Sequence, residues 1–247
     1  MIVHSDIIYN KHNQKLDVYL PENSINAVLI YFHGGSLEFG SKACANIFAE
    51  FLCKNGISVV SADYRMYPFA KFPDFINDSA DAVAWVFKNK ILFKNCNNIF
   101  ISGSSAGAYL SMMLCFNTKY LCQAGVNPDY ISGYIHDSGQ PTSHFNVLKE
   151  YGTNSKRLIV DETAPLYFVG IEKQYPLTMF IVSDNDIPGR LEQTQLLVAT
   201  MKSFGYNESK INYLIMHGTH CEHVEKIDEN GETVFGKLIL DYIKGEI

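Results

Sequence analysis

Residues Ile99-Phe-Ile-Ser-Gly-Ser-Ser-Ala-Gly107 form a short apolar run of strand character that breaks at Gly103 and restarts with helical periodicity after Ser105. The pentad Gly103-Ser104-Ser105-Ala106-Gly107 has the G-x-S-x-G spacing of a nucleophile elbow, a sharp strand-to-helix turn. A serine on such a turn holds a strained backbone. Small residues on either side let strand and helix approach closely enough to push its hydroxyl into a cleft. A Gly/Ser-rich strand end can produce the same pentad without any chemistry, so its meaning depends on what stands at the other strand ends.

The rest of the chain repeats this alternation. Ile7 to Tyr9 and Leu16 to Leu20 flank a polar turn and predict an opening antiparallel hairpin. Ala27 to Phe32 is continuously apolar, as in a strand buried on both faces. Strands are also predicted at Ile57 to Ser61, Tyr130 to Ile135, Leu177 to Val182 and Ile211 to Met216. Helical spacing marks Ala43 to Asn55, Asp74 to about Lys90, Ala106 to Asn117, Arg190 to Phe204 and Gly231 to Lys244, with a short helix at Asn146 to Tyr151. Strands alternating with helices of ten or more residues predict an α/β fold: a mostly parallel twisted sheet of about eight strands, with helices on both faces. The 247 residues suffice for one large α/β domain, so residues 1–247 are expected to form a single domain.

A formal charge of −6 without any cluster of Lys and Arg argues against nucleic acid or anionic lipid as partner. The start Met1-Ile-Val-His-Ser-Asp lacks the basic and apolar regions of a signal peptide, and the apolar runs are strand-length, so no membrane association and a cytoplasmic location are expected. Six cysteines (44, 53, 96, 115, 122 and 221) show neither C-x-x-C pairs nor zinc spacing and read as reduced thiols, mostly core filler. Oligomeric state leaves no mark on the sequence.

In an open α/β sheet, ligands bind beyond the carboxyl ends of the strands. The strand at Ala27 to Phe32 ends in His33-Gly-Gly-Ser36, whose glycines free the backbone to aim N–H groups at a developing oxyanion. The N–H groups of Gly35 and Ser36, with that of Ala106 after the serine, are the expected oxyanion hole, and His33 is expected to brace the loop. Ser105 needs a base on a later strand-end loop. His217-Gly-Thr-His220 follows a late strand directly, with His223 close behind; His220 is preferred because Gly218 lets the chain turn back over the sheet. The histidine needs an acid to fix its tautomer. Asp184 and Asp186 both follow the strand at Leu177 to Val182, and the short turn after Ser183 favours Asp186, with Asp184 as the alternative. Gly34, Glu38 and Ser104 are candidates for substrate contact, and Cys221 is expected to pack rather than react.

His33-Gly-Gly-Ser36, Gly103-x-Ser105-x-Gly107, Asp184-Asn-Asp186 and Gly218-x-His220 together resemble the α/β-hydrolase superfamily. Asp63-Tyr-Arg-Met-Tyr-Pro68, Phe72-Pro-Asp-Phe-Ile-Asn-Asp78 and Ala82-Val-Ala-Trp85 resemble the D-Y-R-x-x-P…F-P…D…W pattern of its hormone-sensitive-lipase-like, acetyl-esterase branch. The likeness runs from about Leu29 to His220. It implies hydrolysis of a small-molecule carboxylic ester through an acyl-serine intermediate, with no metal and no cofactor. Overlay of the branch's G-x-x-D turn on Ser183-Asp-Asn-Asp186 adds support for Asp186, although Ser183 departs from the glycine. Ser36 departs from the branch's third glycine, and the branch's long N-terminal cap has no counterpart, leaving the irregular region at about 139–166 as a small lid over an open cleft.

The combined reading is a serine esterase for short acyl groups, acetyl above all, on small or carbohydrate alcohols. Peptidase or thioesterase chemistry on the same fold is the alternative, though peptidases of the prolyl-oligopeptidase kind usually carry a propeller domain that is not seen here. A non-catalytic small-molecule binder, like the plant hormone receptors of this branch, would have lost the base histidine that this chain retains.

Overall fold

The computed structural model describes residues 1–172 and 174–247. Eight strands run β1 (Ile2–Ile8), β2 (Lys15–Leu20), β3 (Ala27–Phe32), β4 (Ile57–Ala62), β5 (Asn98–Ser104), β6 (Ile131–Asp137), β7 (Leu177–Asn185) and β8 (Ile211–Thr219). The helices are α1 (Asn46–Lys54), α2 (Asp74–Lys88), α3 (Ala106–Phe116), α4 (Lys119–Gln123), α5 (Phe145–Glu150), α6 (Arg190–Ser203), α7 (Glu222–Glu225) and α8 (Val234–Lys244). All eight strands join one sheet in the order β1-β2-β4-β3-β5-β6-β7-β8. Only β1 and β2 are antiparallel to their neighbours.

Strands β3 and β4 are buried along their whole length, as expected where helices cover both faces. One core lies under α2, α3 and α6, including Phe75, Tyr109 and Leu197; the other lies under α1 and α8, including Phe48, Phe235 and Ile239. Every residue of α3 is buried, so the helix that follows Ser105 sits in the interior rather than on the surface. The parallel register aligns the strand ends that matter: Phe32 pairs with Gly103, Ser104 with Asp137, Asp137 with Ile181, and Asn185 with Thr219.

The Asp63-Tyr-Arg65 stretch serves as scaffold. Asp78 is fully buried and accepts from Arg65 Nε at 2.8 Å, from its terminal nitrogen at 3.0 Å and from its backbone N–H at 2.9 Å, which ties the end of β4 to α2. Tyr64 stacks on His33 with ring centroids 4.4 Å apart and donates its hydroxyl to the His33 carbonyl at 2.8 Å. Of residues 139–166, those from Gly139 to Leu148 are almost all buried, and Tyr109 donates to the Thr163 carbonyl at 2.7 Å. Residues 139–148 thus pack into the body of the domain, whereas 151–162, after the short helix α5, are exposed or half-buried. Several strands run further than their apolar patterns: β1 starts at Ile2, and β7 and β8 extend through polar residues to Asn185 and Thr219. The short helices α4 and α7 were invisible to periodicity because neither exceeds five residues.

Two histidines are neutral parts of the core. Burial pushes His136 and His144 down to about 3; for His144 the charges of Arg190 and Lys149 add to the effect. Each takes up a proton only on unfolding between about pH 3 and the ordinary histidine range near 6.5, so the unfolded state binds more protons there and stability falls as pH is lowered. Denaturant unfolding at pH 7.5, 6.0 and 5.0 is expected to show this decline. His136→Phe, placed among Phe116, Tyr134 and Phe180, should make it shallower by about 1 kcal/mol per pH unit.

Candidate active site

Ser105 occupies the turn between β5 and α3 with φ 54° and ψ −113°, a conformation that costs a non-glycine residue about 1–3 kcal/mol. Three close approaches hold it there. A Cβ on Gly103 would lie 2.3 Å from the Gly107 carbonyl carbon, and one on Gly107 would lie 1.9 Å from the Phe32 carbonyl oxygen, so both positions exclude a side chain. The Ser105 N–H donates to the Asp137 carbonyl at 2.7 Å, pinning the turn to the end of β6.

His220, on the turn after β8, places Nε2 2.9 Å from Ser105 Oγ and Nδ1 2.5 Å from Asp186 Oδ1. The Asp186 side chain is 1% exposed, and it also accepts from Ser138 Oγ at 2.8 Å, Ile187 N–H at 2.7 Å and Ser183 N–H at 3.3 Å. Burial alone would raise its carboxyl, but the hydrogen bond and charge of His220, with the donors Ser138 and Ile187, outweigh it and hold the group below the usual carboxylate range. Asp184 stands elsewhere. It accepts from Gly218 N–H at 3.0 Å and meets His217 Nδ1 at 2.7 Å in a pair whose histidine is 97% exposed. The Gly218 N–H, then the His217 partner, lower its carboxyl.

The loop after β3 curls through positive φ at Gly35 (114°), Ser36 (62°) and Leu37 (62°). A Cβ on Gly35 would overlap the Phe39 carbonyl oxygen at 1.9 Å, so only glycine fits. The loop is held from outside by Asn146 Nδ2, which donates to the Ser36 carbonyl at 2.5 Å, and from within by His33 Nδ1, 2.6 Å from the Gly34 carbonyl oxygen. Gly34 lies against the elbow: a Cβ there would be 3.3 Å from Ser105 Cβ. Ala106 is the first residue of α3, so its N–H has no partner within the helix.

Gly34, Gly35, Ser36, Ser104, Ser105, Ala106 and His220 all line one cleft of about 620 Å³. The apolar side chains of Phe39, Ile47, Phe145 and Ile187 complete it. Glu38 is not among them. It faces a neighbouring depression with Tyr64, Arg65 and Tyr67, and its carboxylate is 3.7 Å from Lys149 Nζ, because the reversal at Leu37 points it away from the elbow. Cys221 places Sγ 3.7 Å from His220 Nε2, and burial, aided by the charge of Asp137, pushes its thiol well above the ordinary range, so it stays protonated.

His223, the last of the three late histidines, does not reach Ser105 but pairs with an aspartate that no sequence pattern singled out. His223 Nε2 is 2.8 Å from Asp137 Oδ1, with both side chains buried. Burial lowers His223, but the charge and hydrogen bond of Asp137 outweigh it and raise the group overall. Arg190 and His144 also line the cleft, from α6 and from the residue before α5. Arg190 carried a signal of its own, since a cation in the first turn of a helix opposes the helix dipole.

The eight-stranded sheet, the elbow and the strand-end histidine and aspartate place the chain in the α/β-hydrolase superfamily. The BD-FAE family model matches residues 16–228, and the chain belongs to that family. Kynurenine formamidase of Danio rerio is 27% identical over 252 residues, covering 96% of this chain and 81% of that protein. An isoprenylcysteine alpha-carbonyl methylesterase of Arabidopsis thaliana is 30% identical over 113 residues, covering 44% of this chain but only 26% of the plant protein. In fold, the chain matches a truncated carbohydrate esterase from gut microbiota with a TM-score of 0.78 at 19% identity, covering 100% of this chain and 96% of that one. It matches a hyperthermophilic esterase of Pyrobaculum calidifontis with a TM-score of 0.76 at 19% identity, covering 99% and 86%.

The two aspartates make opposite predictions. Asp186→Asn should lower kcat on an aryl acetate by about 10⁴-fold, by disturbing the tautomer of His220. Asp184→Asn should change it by no more than about threefold, since that pair is exposed and apart from Ser105. Parallel steady-state rates of the two variants check this; the reverse order would move the acid role to Asp184.

Proposed function

We propose that the protein is a serine-dependent carboxylic ester hydrolase. The observation that carries this reading is the continuous chain of hydrogen bonds from Ser105 through His220 to Asp186, at 2.9 and 2.5 Å, opening into the apolar cleft. His220 Nε2 takes the Ser105 proton as Oγ attacks the ester carbonyl, and Asp186 stabilises the imidazolium without taking the proton. The charge that develops on the carbonyl oxygen meets the N–H groups of Gly35, Ser36 and Ala106, each worth about 3 kcal/mol in a water-poor site. His220 then returns the proton to the leaving alcohol, and a water activated by the same nitrogen releases the acyl group. In this reading residues 1–247 work as one domain, with 139–166 as a wall of the cleft.

The proposed substrates are short-acyl esters, acetyl esters foremost, of small or carbohydrate alcohols. The cleft is open beside Ser105, and a relative in fold is described as a carbohydrate esterase. A second reading, hydrolysis of an aryl formamide, draws on the likeness to kynurenine formamidase along nearly the whole chain. The same residues would serve it, with an amine as leaving group.

A fluorophosphonate probe should add its mass to Ser105, and Ser105→Ala should lose the label together with at least about 10⁴-fold in kcat. Initial rates on p-nitrophenyl esters, acetylated sugars and formanilide should peak with the shortest acyl esters. A label-free serine would sink the ester-hydrolase reading, and preference for formanilide would favour the second.

A further inference from the structure

Arg190 is the first residue of α6 and is only 5% exposed, so its charge is out of water as well as against the helix dipole. Its partners are neutral. One terminal nitrogen donates to the Ser138 carbonyl at 2.6 Å, the other to Gln140 Oε1 at 3.5 Å, and Nε has no partner. Three of the five guanidinium N–H donors therefore stay unused. Among the described residues, no carboxylate comes within the 4.0 Å that defines an ion pair with Arg190, in contrast to Arg65 on Asp78. The acid whose charge acts on it is Asp186, and that carboxylate is already taken by His220, Ser138 and Ile187.

Arg190 nevertheless lines the cleft that holds Ser105, as do Ile187, His144 and Phe145, and its charge acts on His144. His144 Nδ1 accepts the Asn146 N–H at 3.2 Å, which leaves the ring proton on Nε2 and makes that nitrogen a donor. The acidic side chain lining the cleft is Glu225, which is exposed and so screened by water. A buried cation that faces a substrate cleft with spare donors lacks a counter-charge that a ligand can bring.

We propose that Arg190, with His144 beside it, is a recognition site for a carboxylate carried by the ester substrate, so that the preferred substrate is an anionic ester. The planar guanidinium suits two-pronged binding of a carboxylate, and the apolar side chains of Phe39, Ile47 and Phe145 accommodate the carbon skeleton between charge and ester bond. This rests on the ester-hydrolase reading and adds the substrate class to it. No acid or base role is assigned to Arg190.

Matched esters test it. Phenyl acetate against 4-acetoxybenzoate places the carboxylate on the alcohol side, and ethyl hexanoate against monoethyl adipate places it on the acyl side, with rates read by pH-stat. The enzyme should favour the anionic member of one pair by about tenfold or more in kcat/KM. Arg190→Gln should bring that ratio close to one, and Arg190→Lys should restore part of it. If Arg190 served only to hold the Ser138 carbonyl, both members would slow together and the ratio would stand, which overturns the proposal. Competition by benzoate against benzamide on the unaltered enzyme needs no variant, and the carboxylate should compete at least about tenfold more tightly. Equal inhibition, or hydrolysis of all four esters without preference, overturns the anion site and leaves ester hydrolysis standing. Hydrolysis of none of the four overturns both.

Discussion

The close approach of β3, β5 and α3 around Gly103 and Gly107 is the constraint on which the rest of the structure depends. Ser105 holds φ 54° only because neighbouring backbones leave it no alternative, and those backbones can come so near only where no Cβ intervenes. The cost of that strain is spread over a fully buried helix, a six-residue parallel register between β3 and β5, and the bond from Ser105 N–H to the Asp137 carbonyl. The same contact brings Gly34 against Ser105, so the position of Ser105 and the proposed oxyanion donors are set by one packing event.

Charge in this region is arranged in layers. Asp186 takes four donors and is nearly inaccessible, which keeps it ionised and fixes the face of the His220 ring turned towards Ser105. Below it, Asp137 and His223 form a second buried pair, and Ser138, next to Asp137, donates to Asp186. Arg190 ties the Ser138 carbonyl into the same framework while keeping unused donors near the cleft. The acid pair that stands in solvent, Asp184 with His217, is separate from this network.

Strand and helix positions were legible because apolar runs of six residues and stripes of period 3.6 report burial directly. Failures fall where that link breaks. β7 and β8 run on through Ser183-Asp-Asn185 and His217-Gly-Thr219 because the parallel partner strand, not apolar burial, holds those residues extended. Glu38 was read as a possible substrate contact from its nearness in sequence to His33-Gly-Gly-Ser36, yet the positive φ at Ser36 and Leu37 turns it towards Lys149. His144, Asp137 and Arg190 belong to no motif, since their meaning comes from partners far off in the chain, 86 residues for Asp137 with His223 and 52 for Arg190 with Ser138, or, for His144 and Arg190, from the cleft they both line.

By itself the sequence determined the α/β class, the elbow at Ser105 and the order serine, aspartate, histidine, because each is written in local spacing: periodicity, a Gly-x-Ser-x-Gly pentad, a Gly before a histidine. Tertiary structure decided which aspartate meets His220, which side chains wall the cleft and which charge is left without a partner. Those are matters of distance between strand ends, and the register of β6, β7 and β8 sets them, to within a hydrogen bond's length, only once the sheet is assembled.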